Sequence, residues 1–227
     1  MKKLYYGLLL PIILWAGPPM NSNDPFVPNK GQFEVNLAFS TESRDTKLTQ
    51  VPIIDANYGL TENLEITLAT AYIHENHKHD IDAFEAAMKW LIYNDNFFAI
   101  ALSPAYISFP INSVYHTGET HVLSVPVNFA FSQKWSFVMD FIYINPKNEA
   151  DHFEMGAYIG YTENKHAYFL EGFSDDISSK TTIPLLLSVG YTYSISKNKS
   201  FLISYGEEVV TQTTKAKIFF SGLQLLF

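Results

Sequence analysis

The chain has 227 residues, of which 47% are hydrophobic, 15% aromatic and only 17% charged, an apolar-rich mixture that fits one domain and lacks the charge density of an ordinary soluble surface. Its formal net charge of -8 excludes a nucleic-acid surface, which needs a basic face, and the absence of cysteine excludes disulfides and thiolate chemistry. Beyond residue 16 no run of about 18 apolar residues occurs, so any crossing of a bilayer must be made by strands closed into a barrel.

The chain opens with Lys2 and Lys3 ahead of an apolar run from Leu4 to Ala16. This pattern predicts a signal peptide over residues 1–21, cleaved somewhere between 16 and 22. No cysteine stands nearby to carry a lipid, which excludes a lipoprotein. Residues 22–30 are expected to form an arm, either periplasmic or folded inward, and residues 31–227 the barrel.

From Gly31 onward, segments of about ten residues alternate apolar and polar side chains, the period of a strand with two unlike faces. Twelve such segments are predicted, over 31–40, 48–59, 64–74, 83–93, 97–108, 121–132, 135–145, 153–162, 166–174, 183–196, 201–209 and 216–227. Short connections alternate with six longer ones: Thr41–Lys47, Glu75–Asp82, Pro110–Thr120, Pro146–His152, Asp175–Thr182 and Val210–Lys215. An even strand count with short turns on one rim and long loops on the other predicts an all-β fold, a transmembrane antiparallel up-and-down barrel of about 12 strands.

The parity of the segments tests that reading, because Arg or Lys facing lipid at midplane costs about 2–4 kcal/mol. Phe33, Val35, Leu37 and Phe39 share one face of the first segment, against Gln32, Glu34, Asn36 and Ser40. Leu123, Val125, Val127, Phe129 and Phe131 repeat the pattern in the sixth, with Ser124 and Asn128 opposite. No charged residue is expected on the outer face of any strand. Aromatics gather near the short turns (Tyr58, Trp90, Phe98, Trp135, Tyr161, Tyr168) and near the loops (Phe39, Tyr72, Phe84, Tyr143, Phe153, Phe219), as interfacial girdles do. The last strand ends in Phe227, an outward C-terminal aromatic that resembles the signal by which outer-membrane proteins are recognised for assembly. Two features cut across the pattern. Ala83–Tyr93 consists largely of good helix formers yet alternates correctly, and Pro52, Pro104, Pro126 and Pro184 predict bulges or rim positions.

The stretches GQFEVNLAFSTES (residues 31–43) and VPIIDANYGLTENLEI (residues 51–66) resemble a family of outer-membrane transporters associated with the meta-pathway of phenol degradation. The similarity covers Gly31, Phe33, Glu34, Asn36, Pro52, Asp55, Asn57, Tyr58 and Gly59, about the first third of the mature chain. Where that family often places a proline-containing pair after the third strand, this chain continues ATAYIH. The resemblance implies a barrel in the cell outer membrane and passage of a solute.

Inward parity assigns Glu34, Asn36, Asp55, Asn57, Glu65, Glu85, Lys89, Asp140, Glu154 and Glu171 to the lumen. Seven carboxylates against one ammonium would favour cations in a wet pore, whereas the same groups hydrogen-bonded to one another would fill a plugged interior. The expected function is passive passage of a small solute. The alternatives are a barrel hydrolase acting on lipid or peptide, for which Ser113, His116 and Glu119 share a loop, and a metal-binding or structural barrel. His74, His77 and His79 (in HENHKHD) are the candidate ligands for a transition metal; no other cofactor is expected. The expected partners are outer-membrane lipid, the barrel-assembly machinery and the solute, with no nucleic acid.

Overall fold

The computed structural model describes residues 20–44, 47–75, 78–109, 118–147, 149–178, 183–210 and 215–227. Among these, twelve strands follow one another without a helix: β1 (Phe33–Arg44), β2 (Lys47–Thr61), β3 (Leu64–Glu75), β4 (Lys78–Asn94), β5 (Phe98–Phe109), β6 (Gly118–Ala130), β7 (Trp135–Pro146), β8 (His152–Glu163), β9 (His166–Ser174), β10 (Leu185–Ser196), β11 (Lys199–Val210) and β12 (Ala216–Leu226). Each pairs antiparallel with its sequence neighbours, and β1 pairs with β12 to close the barrel. At the seam Phe33 and Phe227 exchange backbone hydrogen bonds of 3.1 and 2.8 Å, so the two ends of the sheet meet at one rim.

Alternation sets the two surfaces. Outward residues such as Leu68, Phe84, Leu170 and Val189 are exposed, while their sequence neighbours face inward and several are buried, among them Ala167, Phe169 and Ser188. Aromatic side chains run along the short-turn rim in contact, Trp135 with Tyr161 (ring centroids 4.7 Å apart), then Tyr161 with Tyr168, and Tyr168 with Tyr191 at 5.3 Å. Near the loop rim Tyr143 packs on Phe153 at 5.2 Å. The apolar band between two aromatic belts is the exterior of a membrane barrel. The helix-forming stretch Ala83–Tyr93 lies within β4, because tertiary pairing on both sides outweighs its local propensity.

Three expectations need correction. First, β1 and β2 run on to Arg44 and Lys47, and β3 and β4 to Glu75 and Lys78, so two of the six expected loops are mostly hairpin. The ladder continues there through polar residues, from Thr41↔Gln50 to Arg44↔Lys47 and from His74↔His79 to Glu75↔Lys78. Second, Glu207 and Lys217 share the outward parity and stand opposite one another across β11 and β12. They lie at the loop rim, beside Tyr205 and Phe219, where a charge reaches water and its cost is small. Third, Pro104 and Pro126 produce one-sided gaps and not bulges. The β4–β5 ladder passes from Ala87↔Ala105 to Trp90↔Leu102, skipping Pro104, while Pro104 pairs in register with Leu123 of β6. Likewise β5–β6 passes from Ile100↔Val127 to Ser103↔Ser124, skipping Pro126, which pairs in register with Asp140 of β7. A proline lacks one N–H, so it weakens one ladder and leaves the other intact. No register shift coincides with Pro104 or Pro126, but one falls beside Pro184, between Leu185 and Leu186. Pro184 precedes β10, at the rim.

Leu68 stands midway along β3, 62% exposed on the outer face. Leu68→Arg is expected to destabilise the barrel in phospholipid vesicles by about 2–4 kcal/mol, read from urea unfolding. The same replacement at the rim position Val210 is expected to cost under about 1 kcal/mol.

Candidate functional site

Residues 20–32 do not lie along the rim. The arm turns at Gly31, whose φ of 80° is open to glycine, and enters the lumen past Gly59. There the backbone is so near that a Cβ on Gly59 would sit 2.2 Å from the carbonyl oxygen of Asn29. Pro25, Val27 and Pro28 are buried inside.

The far end of the arm is held by two fully buried carboxylates. Glu171 of β9 accepts from the backbone N–H of Asn21 (3.1 Å) and of Ser22 (2.8 Å), from the Asn21 amide (3.0 Å) and from the Ser22 hydroxyl (2.7 Å). Asp140 of β7 accepts from the Asn23 N–H at 2.9 Å and from the Ser124 hydroxyl at 2.6 Å. Six donors thus meet the two buried carboxyl groups, which satisfies acceptors that burial takes out of water. Apolar packing completes the seat. Met20 rests on Val138, Tyr158, Ala167 and Phe169, a cluster inside the barrel wall. Gly156 provides clearance, since a Cβ there would meet Ser22 Oγ at 1.9 Å.

The opposite half of the lumen, formed mainly by β1 to β5, is acidic and lines a cavity of about 470 Å³. Its wall includes Glu34, Asn36, Asp55, Asn57, Glu65, Glu85, Lys89 and Glu154, faced by Asp24 of the arm. Amide groups hold the carboxylates apart: Asn36 Nδ2 donates to Glu34 at 2.9 Å, and Asn57 Nδ2 donates to Asp55 at 2.5 Å and to Glu34 at 3.3 Å. The Thr67 hydroxyl lies between Asn57 Oδ1 (2.6 Å) and Glu65 (3.0 Å). Lys89 joins wall to arm, donating to the Phe26 carbonyl at 3.2 Å and standing 3.8 Å from Glu65. Asn36 Oδ1, buried in this wall, has no hydrogen-bond partner, while the Gln224 amide lies against Glu34. In the arm itself, burial pushes the Asp24 carboxyl up to about 7, with Lys89 pulling it back down.

The ten residues assigned to the lumen by parity therefore divide. Eight line the cavity, whereas Asp140 and Glu171 are engaged by the arm. Parity missed the apolar seat of Val138, Tyr158 and Phe169. A signal exists, since β7 reads VMDFI at residues 138–142, apolar on both parities as in a strand covered on both faces. His77, Ser113 and His116 lie outside the described residues, as do the side chains of His74 and His79, whose backbones pair across β3 and β4.

No sequence-family model and no curated protein matches the chain. Solved structures do. A COG4313 outer membrane channel from Pseudomonas putida F1 superposes with a TM-score of 0.68 at 10% identity, over 92% of this chain and 100% of that one. The KdgM porin follows with 0.61 at 12%, over 84% and 98%, and the CymD monoaromatic hydrocarbon channel with 0.55 at 8%, over 88% and 89%. At such identities the shared property is the fold, that of outer-membrane channels.

Glu171→Gln turns an amide N–H₂ toward donors that now share a carboxylate, and is expected to weaken arm docking by about 1.5–3 kcal/mol. Gly156→Leu fills the space of Ser22. Both should expose the arm to added protease while the barrel stays folded on a gel. The pH dependence has a definite sign. A free Asp24 titrates near 4, so the docked arm favours the protonated acid; this contribution is complete below about pH 4 and lost as pH rises through about 7. Arm cleavage should accordingly increase from pH 5 to 8, and Asp24→Asn should flatten that rise.

Proposed function

We propose that the protein is an outer-membrane channel through which a small solute passes without energy input, and that its acidic lumen favours cations. The observation that carries this reading is the cavity itself. A barrel serving only as an anchor has no use for a wet, charged interior, yet here six carboxylates and one ammonium line a space of about 470 Å³ inside a wall whose exterior is apolar. Low-dielectric walls focus the field of such a set, raising the local concentration of cations. The fold shared with solved outer-membrane channels supports the same reading, as does the resemblance over Gly31–Ile66 to transporters associated with phenol degradation.

In this proposal Glu34, Asp55, Glu65, Glu85 and Glu154 face the path, Asn36 and Asn57 space them, and Lys89 tempers their charge. Asp140 and Glu171 serve as the latch of an arm that narrows the path. The location is the outer membrane, with the short turns toward the periplasm. Assembly machinery reads the last strand, whose terminal Phe227 is 72% exposed beside the seam.

Planar-bilayer recording of the purified, refolded protein tests this. Discrete steps with a cation-selective reversal potential in a salt gradient are expected. Removing residues 20–30 should raise the step size about two-fold or more, by clearing the lumen. Changing Glu34, Asp55 and Glu65 to Gln, Asn and Gln should move the reversal potential toward zero. A folded barrel that stays silent even without the arm overturns the channel, and unchanged selectivity in the triple variant overturns the role of the acidic wall.

A further inference from the structure

We propose that the acidic half of the lumen is a binding site for a small organic cation bearing ammonium groups, seated between Asp24 of the arm and the β1–β4 wall. The proposal rests on the lumen being a solute path and names the chemical class of the solute.

Charge alone attracts any cation; the hydrogen-bonding pattern is more selective. Asn36 is 2% exposed and lines the cavity, and its Oδ1 has no partner although its Nδ2 is engaged by Glu34. Glu34, 5% exposed, already accepts from the Asn36 and Asn57 amides and has the Gln224 amide against it. The unmet atom is therefore a neutral acceptor, Asn36 Oδ1, set among carboxyl groups and suited to a ligand that brings N–H donors. A buried acceptor left unmet is destabilising, and a donor-bearing ligand removes that cost on entering.

The same wall suits a metal ion poorly. Among the described residues no group of three His, Asp or Glu side chains gathers closely enough to ligate one. The Asn36 and Asn57 amides already occupy one oxygen each of Glu34 and Asp55, which leaves fewer anionic oxygens to converge on one ion. A cavity of about 470 Å³ is far larger than a dehydrated ion and lies in the usual range for small-molecule sites. Lys89 displays the mode of binding within the protein itself: an alkylammonium whose Nζ meets the Phe26 carbonyl at 3.2 Å and Glu65 at 3.8 Å. A diffusible alkylammonium would find further acceptors, Glu34, Asn36, Asp55 and Glu85, lining the same cavity.

The test is isothermal titration of the full, folded barrel in detergent micelles with 1,4-diaminobutane, beside 1,4-butanediol of the same length and Mg²⁺ of the same charge. Saturable binding of the diamine near one per barrel is expected, with none of the diol and no displacement of the diamine by equimolar Mg²⁺. Glu34→Gln together with Asp55→Asn should weaken the diamine about ten-fold or more. Absence of saturable diamine binding, equal binding of the diol, displacement by Mg²⁺, or an unaltered affinity in the folded double variant overturns the proposal. If the variant does not fold, the three-ligand comparison on the native protein decides alone. The channel reading fails separately: a conducting barrel that ignores the diamine removes this inference only, and a silent barrel that binds it removes the channel only.

Discussion

A bilayer offers no water to the peptide group, so each N–H and C=O within it must find a partner in the protein. Pairing of β1 with β12 meets that demand by leaving the sheet no free edge, and the rest of the architecture follows. Closure fixes an inside and an outside for every strand. Alternation then sends apolar side chains to lipid and polar ones to the lumen. The carboxylates found there are a product of this sorting, and the protein has two ways of accommodating them. On β7 and β9 they are saturated with donors from the arm; on β1 to β4 they border an acidic cavity and are spaced by amides.

The two halves of the lumen are thus physically different environments. One is dry, with Tyr158, Phe169 and Val138 packed against Met20 and two carboxylates held by neutral donors. The other borders a cavity of about 470 Å³ lined by six carboxyl groups and Lys89. Lys89 ties the arm to the acidic wall, since its ammonium touches both the arm backbone and Glu65. An arm that moves must therefore release acceptors on both sides. The glycine clearances at Gly59 and Gly156 mark where the wall was shaped to admit it.

Much of the barrel was legible from alternation alone, because a period of two over ten residues has few other meanings. Strands β3, β7 and β9 lie within a residue or so of their expected limits. Even the helix-prone stretch in β4 could be placed, since its parity was clean. The arm's path was not legible. Asn21, Ser22 and Asn23 form no periodic pattern, and Glu171 and Asp140 are indistinguishable by parity from Glu34 or Glu65. Only the three-dimensional crossing of the barrel separates latch from path. Hairpin height was also misjudged, because Thr and charged residues near β1–β2 and β3–β4 read as loop although strand pairing continues in water. The bulges expected at Pro104 and Pro126 failed for a further reason: sequence shows the lost N–H but not which neighbour it faced.

The arm is covalently joined to β1 only a few residues after its anchoring points. Between Asn23, which meets Asp140, and Gly31 at the rim, the chain can reach no more than about 30 Å even when fully extended. A released arm consequently stays within the mouth of its own barrel, at an effective concentration in the millimolar range. Undocking is then a local and rapidly reversed event, independent of protein concentration. A free peptide copying residues 20–30 would have to reach comparable concentrations to take its place. Signals that act on the arm need only shift a balance between two tethered states, and no diffusible inhibitor has to be recruited to restore the first.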